Sequence, residues 1–256
     1  MRYSEFRARM LSGDPMAGTF LKTPAYQLVE VLAQSRLDFI CLDAEHAPFG
    51  RAALDACLGM ARALDFPALV RVADGSASAI LQALDCGAAG VVVPHVDSAA
   101  KAAEVARAAR FGPGGRGFAG STRWAGYGTR PMAAVLGDGD QTTLIVQIED
   151  PEGVAAAERI AATPGVDGLF IGPADLSVGY GATDQAGDAL KAALASVGQA
   201  ARAHGRAYMS FVANAAQAAE WRKYGMSVFF IGSEHGWMRT AADAQADGIH
   251  DLKSGG

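Results

Sequence analysis

With 256 residues, half of them hydrophobic, the chain is long enough for one α/β barrel, which needs about 250, and for a large buried core. A net charge of −5 and the lack of a basic stripe exclude nucleic acid as a partner, and no apolar run approaches the ~20 residues of a membrane span. The N-terminus is not a signal peptide, and the three cysteines lack metal-type spacing. We therefore expect reduced, buried cysteines in a cytoplasmic protein.

Eight short apolar runs alternate with helical segments along the chain. Most runs are continuously apolar, which is typical of parallel strands that are covered on both faces. Between them, segments such as 50–64 carry apolar residues three and four positions apart, which indicates a helix with one buried face. The predicted strands lie near residues 17–21, 39–43, 68–72, 90–93, 143–148, 168–171, 207–211 and 227–231.

This alternation, repeated eight times, predicts a closed (β/α)8 TIM barrel rather than an open sheet. No linker or change of composition divides the chain, so we predict a single domain over residues 1–256, with a frayed tail at 253–256. The glycine-rich connection at 111–130 is long, and such loops in compact domains are usually functional. We interpret it either as the rim of a substrate pocket or as a surface loop.

Polar side chains follow four of the predicted strands. The C-terminal ends of the strands meet at one mouth of a βα barrel, where the active sites of this fold lie. The side chains are Asp43, Glu45, His46, Arg71, Gln147, Glu149 and Asp175.

Glu149 and Asp175 are the carboxylates best placed to hold a small, hard cation. Two carboxylates neutralise Mg²⁺ or Mn²⁺ and leave about four octahedral positions open, which suits bidentate binding of a 2-oxo acid. The metal then polarises the keto group and acidifies the adjacent carbon. Either carboxylate alone could instead cap the following helix.

A turn between strand and helix offers an anion site beside this pair. The strand stops at Gly172 and the helix begins at Pro173, whose missing N–H needs no partner there. The N–H groups of Ala174 and Asp175 are then available to a small carboxylate.

Three further residues allow two interpretations each. Arg71 either stabilises an enolate or forms a salt bridge with Asp43 or Glu45. His46 either moves a proton at a substrate hydroxyl or is structural. His95, at the end of the fourth strand, either lines the pocket or makes a structural polar contact.

Three segments resemble the hallmark motifs of the HpcH/HpaI aldolases, metal-dependent class II pyruvate aldolases of aromatic and sugar-acid catabolism. They are LDAEHAP at 42–48, QIE at 147–149 and FIGPADLS at 170–177, and the resemblance runs from about residue 18 to about residue 242. It implies a (β/α)8 barrel with Glu149 and Asp175 as metal ligands. Arg71 matches the arginine that stabilises the enolate, and His46 matches the histidine of the proton shuttle.

The resemblance also assigns residues that bind substrate or support the site. The substrate carboxylate is expected at the helix start formed by Gly172, Pro173 and Ala174. Gln147 is assigned to the substrate as well, while Asp43 and Glu45 are assigned supporting roles.

Asp85 gains a role only through the resemblance. The sequence alone predicts a solvated residue at a helix end on the opposite side of the barrel from the mouth. The resemblance implies that a neighbouring subunit supplies it to His46, in a hexamer built from dimers with exchanged C-terminal helices. The 111–130 segment departs from the family pattern, which leaves the aldehyde specificity open.

We therefore predict a carbon–carbon lyase, an aldehyde-lyase that reversibly cleaves 4-hydroxy-2-oxo acids to pyruvate or hydroxypyruvate and an aldehyde with Mg²⁺, Mn²⁺ or Co²⁺. One alternative is a citrate-lyase-like enzyme acting on a coenzyme A thioester. Such an enzyme needs basic residues for the phosphates of the coenzyme, and the sequence has no cluster of lysines or arginines at a strand end. Another is a non-catalytic barrel that binds an oxo acid, against which the carboxylate pair argues. A Schiff-base mechanism needs a lysine in the mouth, and of the five lysines only Lys22 follows a strand.

Overall fold

Eight parallel strands close into a barrel in sequence order, with the first strand paired to the last. The computed structural model describes residues 2–252, so the predicted fraying of 253–256 lies outside the described residues. The (β/α)8 architecture is confirmed, and every predicted strand is present within two residues of its predicted bounds. The strands are β1 (Met16–Leu21), β2 (Phe39–Asp43), β3 (Ala68–Arg71), β4 (Gly90–Val93), β5 (Thr143–Ile148), β6 (Gly168–Ile171), β7 (Ala207–Val212) and β8 (Val228–Ser233).

Helices surround the barrel, and one of them precedes the first strand. They are α1 (Arg2–Leu11), α2 (Tyr26–Ala33), α3 (Arg51–Ala63), α4 (Ala77–Asp85), α5 (Ala99–Ala109), α6 (Met132–Gly139), α7 (Pro151–Ala155), α8 (Ala157–Ala161), α9 (Pro173–Gly179), α10 (Asp188–Ala203), α11 (Ala215–Trp221) and α12 (Glu234–His250). A 3₁₀ turn, Arg222–Tyr224, follows α11.

Aromatic rings fill the barrel interior. The Phe230 ring centroid lies 4.9 Å from those of Phe39 and Phe170 and 5.0 Å from that of Phe20. From α1, Phe6 packs edge-on against Phe39, the first residue of β2, with centroids 5.5 Å apart. Helix α1 therefore closes the end of the barrel where the strands begin, and the opposite end is left as the mouth. A second apolar layer fills the space between the strands and the surrounding helices.

The long connection after α5 lies at the closed end. It leads from the end of one helix through α6 to the start of β5, so the chain crosses the face where strands begin. Arg116 of this connection donates a hydrogen bond to Asp85 at the end of α4, and Arg123 donates one to Asp55 of α3. The interpretation of 111–130 as a rim of the chain's own substrate pocket is therefore wrong, because a connection from helix to strand belongs to the other face.

The three cysteines are buried and unpaired, as predicted. Within residues 2–252, no helix combines the length and the apolar composition that a membrane crossing requires.

The approach of β4 to β5 requires glycine at position 90, where an added Cβ would lie 2.3 Å from the carbonyl oxygen of Thr143. Because that neighbour is backbone, the strands must separate, and we expect Gly90→Ala to lower the free energy of unfolding by about 1–3 kcal/mol or more. Urea unfolding measures this change.

Gly137→Ala is the control, because a Cβ there meets no atom within 4 Å and the residue lies on the exposed side of α6. Helix propensity predicts that this substitution raises the free energy of unfolding by about 0.5–1 kcal/mol. Equal stability of the two variants would contradict the close approach of the strands.

Candidate active site

The register of β2 and β3 places Asp43 directly beside Arg71 at the mouth. Arg71 donates from Nε to Asp43 Oδ1 at 3.0 Å and from Nη2 to Asp43 Oδ2 at 2.7 Å. The guanidinium also lies 3.3 Å from Glu45 Oε2 and 4.4 Å from the ring centroid of Phe20. Arg71 therefore makes the predicted salt bridge with both Asp43 and Glu45, and these contacts are compatible with a further role at a substrate oxygen.

Asp43 organises the turn that follows β2. The carboxylate is completely buried, accepts the backbone N–H of His46 at 3.1 Å, and lies 3.1 Å from Nζ of Lys22. Burial tends to raise the pKa of Asp43, but the hydrogen bonds and charge of Arg71 outweigh burial and hold that pKa below its usual value. An ionised Asp43 therefore fixes both Arg71 and the backbone at His46.

Glu45 is nine-tenths buried beside Arg71 and two histidines at the mouth. Its Oε2 lies 3.7 Å from His46 Nε2, and its Oε1 lies 3.8 Å from His95 Nε2. Burial, with the charge of Glu149 in addition, raises the pKa of Glu45 above its usual value, although Arg71 lowers it. Within residues 2–252, Oε2 of Glu45 has no hydrogen-bond partner. The His46 ring itself is more than half exposed, so a substrate can reach it.

Glu149 follows β5 and points into the mouth, almost completely buried. Its Oε1 accepts the backbone N–H of His95 at 2.8 Å, and its Oε2 accepts a hydrogen bond from the amide of Gln147. The amide oxygen of Gln147 is buried and has no partner in the described part of the chain. The floor of the mouth therefore offers an additional oxygen acceptor beside Glu149.

Gly172 leaves a small space between the two predicted metal ligands. A Cβ added to Gly172 would lie 2.7 Å from Glu149 Cβ, 3.1 Å from Glu149 Oε2 and 3.5 Å from Asp175 Oδ2. Helix α9 begins at Pro173, and no side chain caps it. The structure therefore places Glu149 and Asp175 around one space, next to an uncapped helix start that includes Ala174.

His95 is the mouth residue that sequence reasoning left without a role. One atom each from Glu45, His95 and Glu149 can be chosen so that all three lie within 4.8 Å of one another, which makes a possible metal site that does not include Asp175. The pKa of His95 is lowered by burial, but a hydrogen bond to Asp150 and the charge of Glu149 raise it above the usual value overall. Its position two residues after the end of β4 was the signal available in the sequence.

Asp85 ends α4 on the far side of the barrel, as predicted, but it is not solvated. Arg116 donates from Nη2 to Asp85 Oδ1 at 2.6 Å, and the Arg116 side chain is completely buried. The guanidinium also lies over the rings of Phe111 and Trp124. The expectation of a solvated carboxylate is wrong, because Arg116 of the 111–130 connection binds it and only 17% of the Asp85 side chain stays exposed.

Comparisons with known proteins found similar sequences and a similar fold. Residues 16–241 match the family model described as HpcH/HpaI aldolase/citrate lyase. The chain is 33% identical over 243 residues to a hydroxypyruvate/pyruvate aldolase of Paraburkholderia phytofirmans, covering 92% of this chain and 93% of the relative. It is 35% identical to a 2-keto-3-deoxy-L-rhamnonate aldolase of Klebsiella pneumoniae, covering 71% and 68%. A crystal structure of an HpcH/HpaI aldolase/citrate lyase family protein from Burkholderia cenocepacia superposes with a TM-score of 0.91 at 31% identity, covering 96% and 99% of the chains.

The buried pair of Asp85 and Arg116 makes a stability prediction. Asp85→Asn leaves the completely buried guanidinium without a counter-charge, so we expect the free energy of unfolding to fall by about 3 kcal/mol or more. Asp138→Asn is the matched control, because Asp138 pairs with Arg130 while more than half exposed, and its loss is expected to stay below about 1 kcal/mol. Equal losses in chemical unfolding would contradict a buried, charge-dependent pair.

Proposed function

The chain belongs to the HpcH/HpaI aldolase/citrate lyase family, and we propose that it is a divalent-metal-dependent pyruvate aldolase. Its reaction is the reversible cleavage of a 4-hydroxy-2-oxo acid to pyruvate or hydroxypyruvate and an aldehyde. The relatives named hydroxypyruvate/pyruvate aldolase and 2-keto-3-deoxy-L-rhamnonate aldolase support this carbon–carbon lyase activity with small-molecule substrates. The observation that carries the proposal is the space above Gly172, which Glu149 and Asp175 share.

The residues around that space fit a divalent cation. A side chain at position 172 would fill it, and the unpartnered amide oxygen of Gln147 adds polarity without charge. Glu149 and Asp175 would hold Mg²⁺, Mn²⁺ or Co²⁺, since two carboxylates balance the charge and oxygen ligands suit these ions. When bound, the cation supplies Lewis-acid polarisation of the keto group.

Arg71 is positioned to stabilise the enolate. A guanidinium has five N–H donors in a rigid fork. Asp43 accepts from Nε and from Nη2, so Nη1 still has donors for a substrate oxygen. Because Asp43 and Glu45 hold the fork in one orientation, Arg71 needs little rearrangement as negative charge develops on the keto oxygen.

His46 carries the proton at the aldol hydroxyl. In cleavage it accepts the proton of the C4 hydroxyl, the C3–C4 bond breaks, and the electron pair moves into the enolate of the pyruvate fragment, which becomes pyruvate when C3 takes a proton from water. In synthesis it returns that proton to the new hydroxyl. The carboxylate of the 2-oxo acid binds at the helix start formed by Gly172, Pro173 and Ala174, where the N-cap residue, Gly172, has no side chain to cap the helix. Asp43 and Glu45 position Arg71 and His46.

Other mechanisms are less well supported by the contacts at the mouth. Nζ of Lys22 lies 3.1 Å from the Asp43 carboxylate and is held in that ion pair, whereas a Schiff base requires an amine directed at the keto carbon of the substrate. Arg71 is bound to the same carboxylate, so two cations at the mouth are already paired and less available to coenzyme A phosphates.

We also propose that the chain forms a homo-oligomer, a hexamer built from dimers, in which Asp85 of one subunit serves His46 of a neighbour. The distance of Asp85 from its own mouth supports this arrangement. So does α12, which exposes Met238 and is followed by the exposed Leu252, consistent with an exchanged helix. The buried, unpaired cysteines support a cytoplasmic location.

The metal requirement tests the function directly. We expect EDTA to abolish release of pyruvate from 4-hydroxy-2-oxo acids, and Mg²⁺, Mn²⁺ or Co²⁺ to restore it. Glu149→Gln removes a buried anionic ligand and is expected to lose metal affinity in calorimetry while keeping its circular dichroism spectrum. Glu152→Gln, the same change at an exposed position of α7, should keep both. Full turnover in excess EDTA, with pyruvate trapped on Lys22 by borohydride, would replace the proposal with an imine mechanism.

The role of Arg71 is isolated by exchange of the pyruvate methyl protons into deuterated water. Arg71→Lys keeps the charge but loses the planar fork, so we expect exchange to slow by roughly 10²–10³-fold. Arg110→Lys is the control, because Arg110 pairs with Asp167 in the β5–β6 region, away from the mouth residues. Wild-type exchange in Arg71→Lys would remove this residue from enolate stabilisation.

A further inference from the structure

We propose that His95 is an additional ligand of the cation at the mouth and gives the protein a preference for Co²⁺ over Mg²⁺. This inference rests on the proposed metal-dependent function and concerns the same site. Unlike Glu149 and Asp175, which offer oxygen donors, His95 offers a nitrogen donor.

The backbone fixes His95 at the mouth. Its φ of +51° lies in the left-handed region, which few residues other than glycine adopt. The N–H donates to Glu149 Oε1 at 2.8 Å, and the carbonyl accepts from Lys101 Nζ at 2.6 Å. An unusual conformation held by two contacts points to a functional constraint on this residue. One of these contacts is with the carboxylate that is central to the metal site.

The ring of His95 lies among carboxylates. Its Nδ1 is 3.3 Å from Glu149 Oε1 and 3.1 Å from Asp150 Oδ2, and its Nε2 is 3.8 Å from Glu45 Oε1. Adjacent donors around a small octahedral cation lie about 3 Å apart, and opposite donors about 4.2 Å apart. The donor atoms of Glu45, His95 and Glu149, all within 4.8 Å of one another, therefore need only small movements to share one ion.

Two buried oxygens near the cluster lack a hydrogen-bond donor. One is Oε2 of Glu45, which lies 3.3 Å from Nε of Arg71 but accepts no hydrogen bond from residues 2–252. The amide oxygen of Gln147, which is almost completely buried next to Glu149, is also unpartnered among these residues. Buried acceptors are normally satisfied, and a cation between the carboxylates gives such oxygens a partner.

The nitrogen donor sets the expected metal preference. Carboxylates and amide oxygens suit Mg²⁺, whereas imidazole suits Co²⁺, Ni²⁺ and Zn²⁺. Adding His95 to an oxygen site should therefore strengthen the binding of Co²⁺ much more than that of Mg²⁺.

The test compares wild type with His95→Asn and the control His235→Asn. Asparagine tolerates the left-handed conformation better than most residues do, so the fold should survive. His235 is exposed to the same extent as His95, at 55% against 56%, and is also next to a buried carboxylate, Glu234. Calorimetry measures the affinity for Co²⁺ and for Mg²⁺, and pulsed electron paramagnetic resonance with Mn²⁺ detects ¹⁴N coupling from a bound imidazole.

We expect His95→Asn to weaken Co²⁺ binding at least about tenfold and Mg²⁺ binding less than about threefold, and to abolish the ¹⁴N coupling. His235→Asn should leave all three unchanged. Equal weakening of both ions, or unchanged ¹⁴N coupling in His95→Asn, overturns the inference. If wild type and His95→Asn bind both ions equally well, His95 is not a ligand while the proposed function stands. If wild type binds neither ion, the proposed metal dependence fails as well.

Discussion

The mouth of the barrel depends on the ion pair between Asp43 and Arg71. Both groups are buried, and the loss of either would leave the other with only a more distant counter-charge, Lys22 for Asp43 or Glu45 for Arg71. Together they anchor the neighbouring groups, because Asp43 binds the His46 backbone and Arg71 contacts Glu45. Beneath them the Phe20 ring begins a layer of aromatic side chains that excludes water. Electrostatic interactions at the mouth are correspondingly stronger than they would be in water.

The fold was predictable from local patterns. Every strand except β7 is a short, mainly apolar run that ends at or just before a glycine, a proline or a charged residue. Parallel strands buried on both faces require such an apolar composition. The side of the barrel on which a connection lies is also fixed by topology, because a segment from helix to strand returns to the face where strands begin. The interpretation of 111–130 as a pocket rim was wrong because it gave the length and the glycine content of the connection more weight than this rule.

The sequence predicted which residues lie at the site better than it predicted what those residues contact. Glu149, directly after β5, and Asp175, in the first turn of the helix after β6, could be assigned to the mouth because strand ends converge. The environments of His95 and Asp85 could not be read from the sequence. The position of the His95 ring depends on a left-handed backbone and on Glu149, 54 residues away. The partner of Asp85 comes from a connection 31 residues away, whose path over the closed end no local signal encodes.

The pairing of β1 with β8 has a consequence for the order of folding. The hydroxyl of Thr19 donates to the carbonyl of Ile231, 212 residues further along the chain. Bringing such distant segments together costs more chain entropy than any pairing of consecutive strands. Helix α1 packs through Phe6 on a ring cluster that includes Phe230 from β8, so its docking surface is complete only after closure. During synthesis, helix α1 emerges well before β8, yet it is among the last elements to find its place.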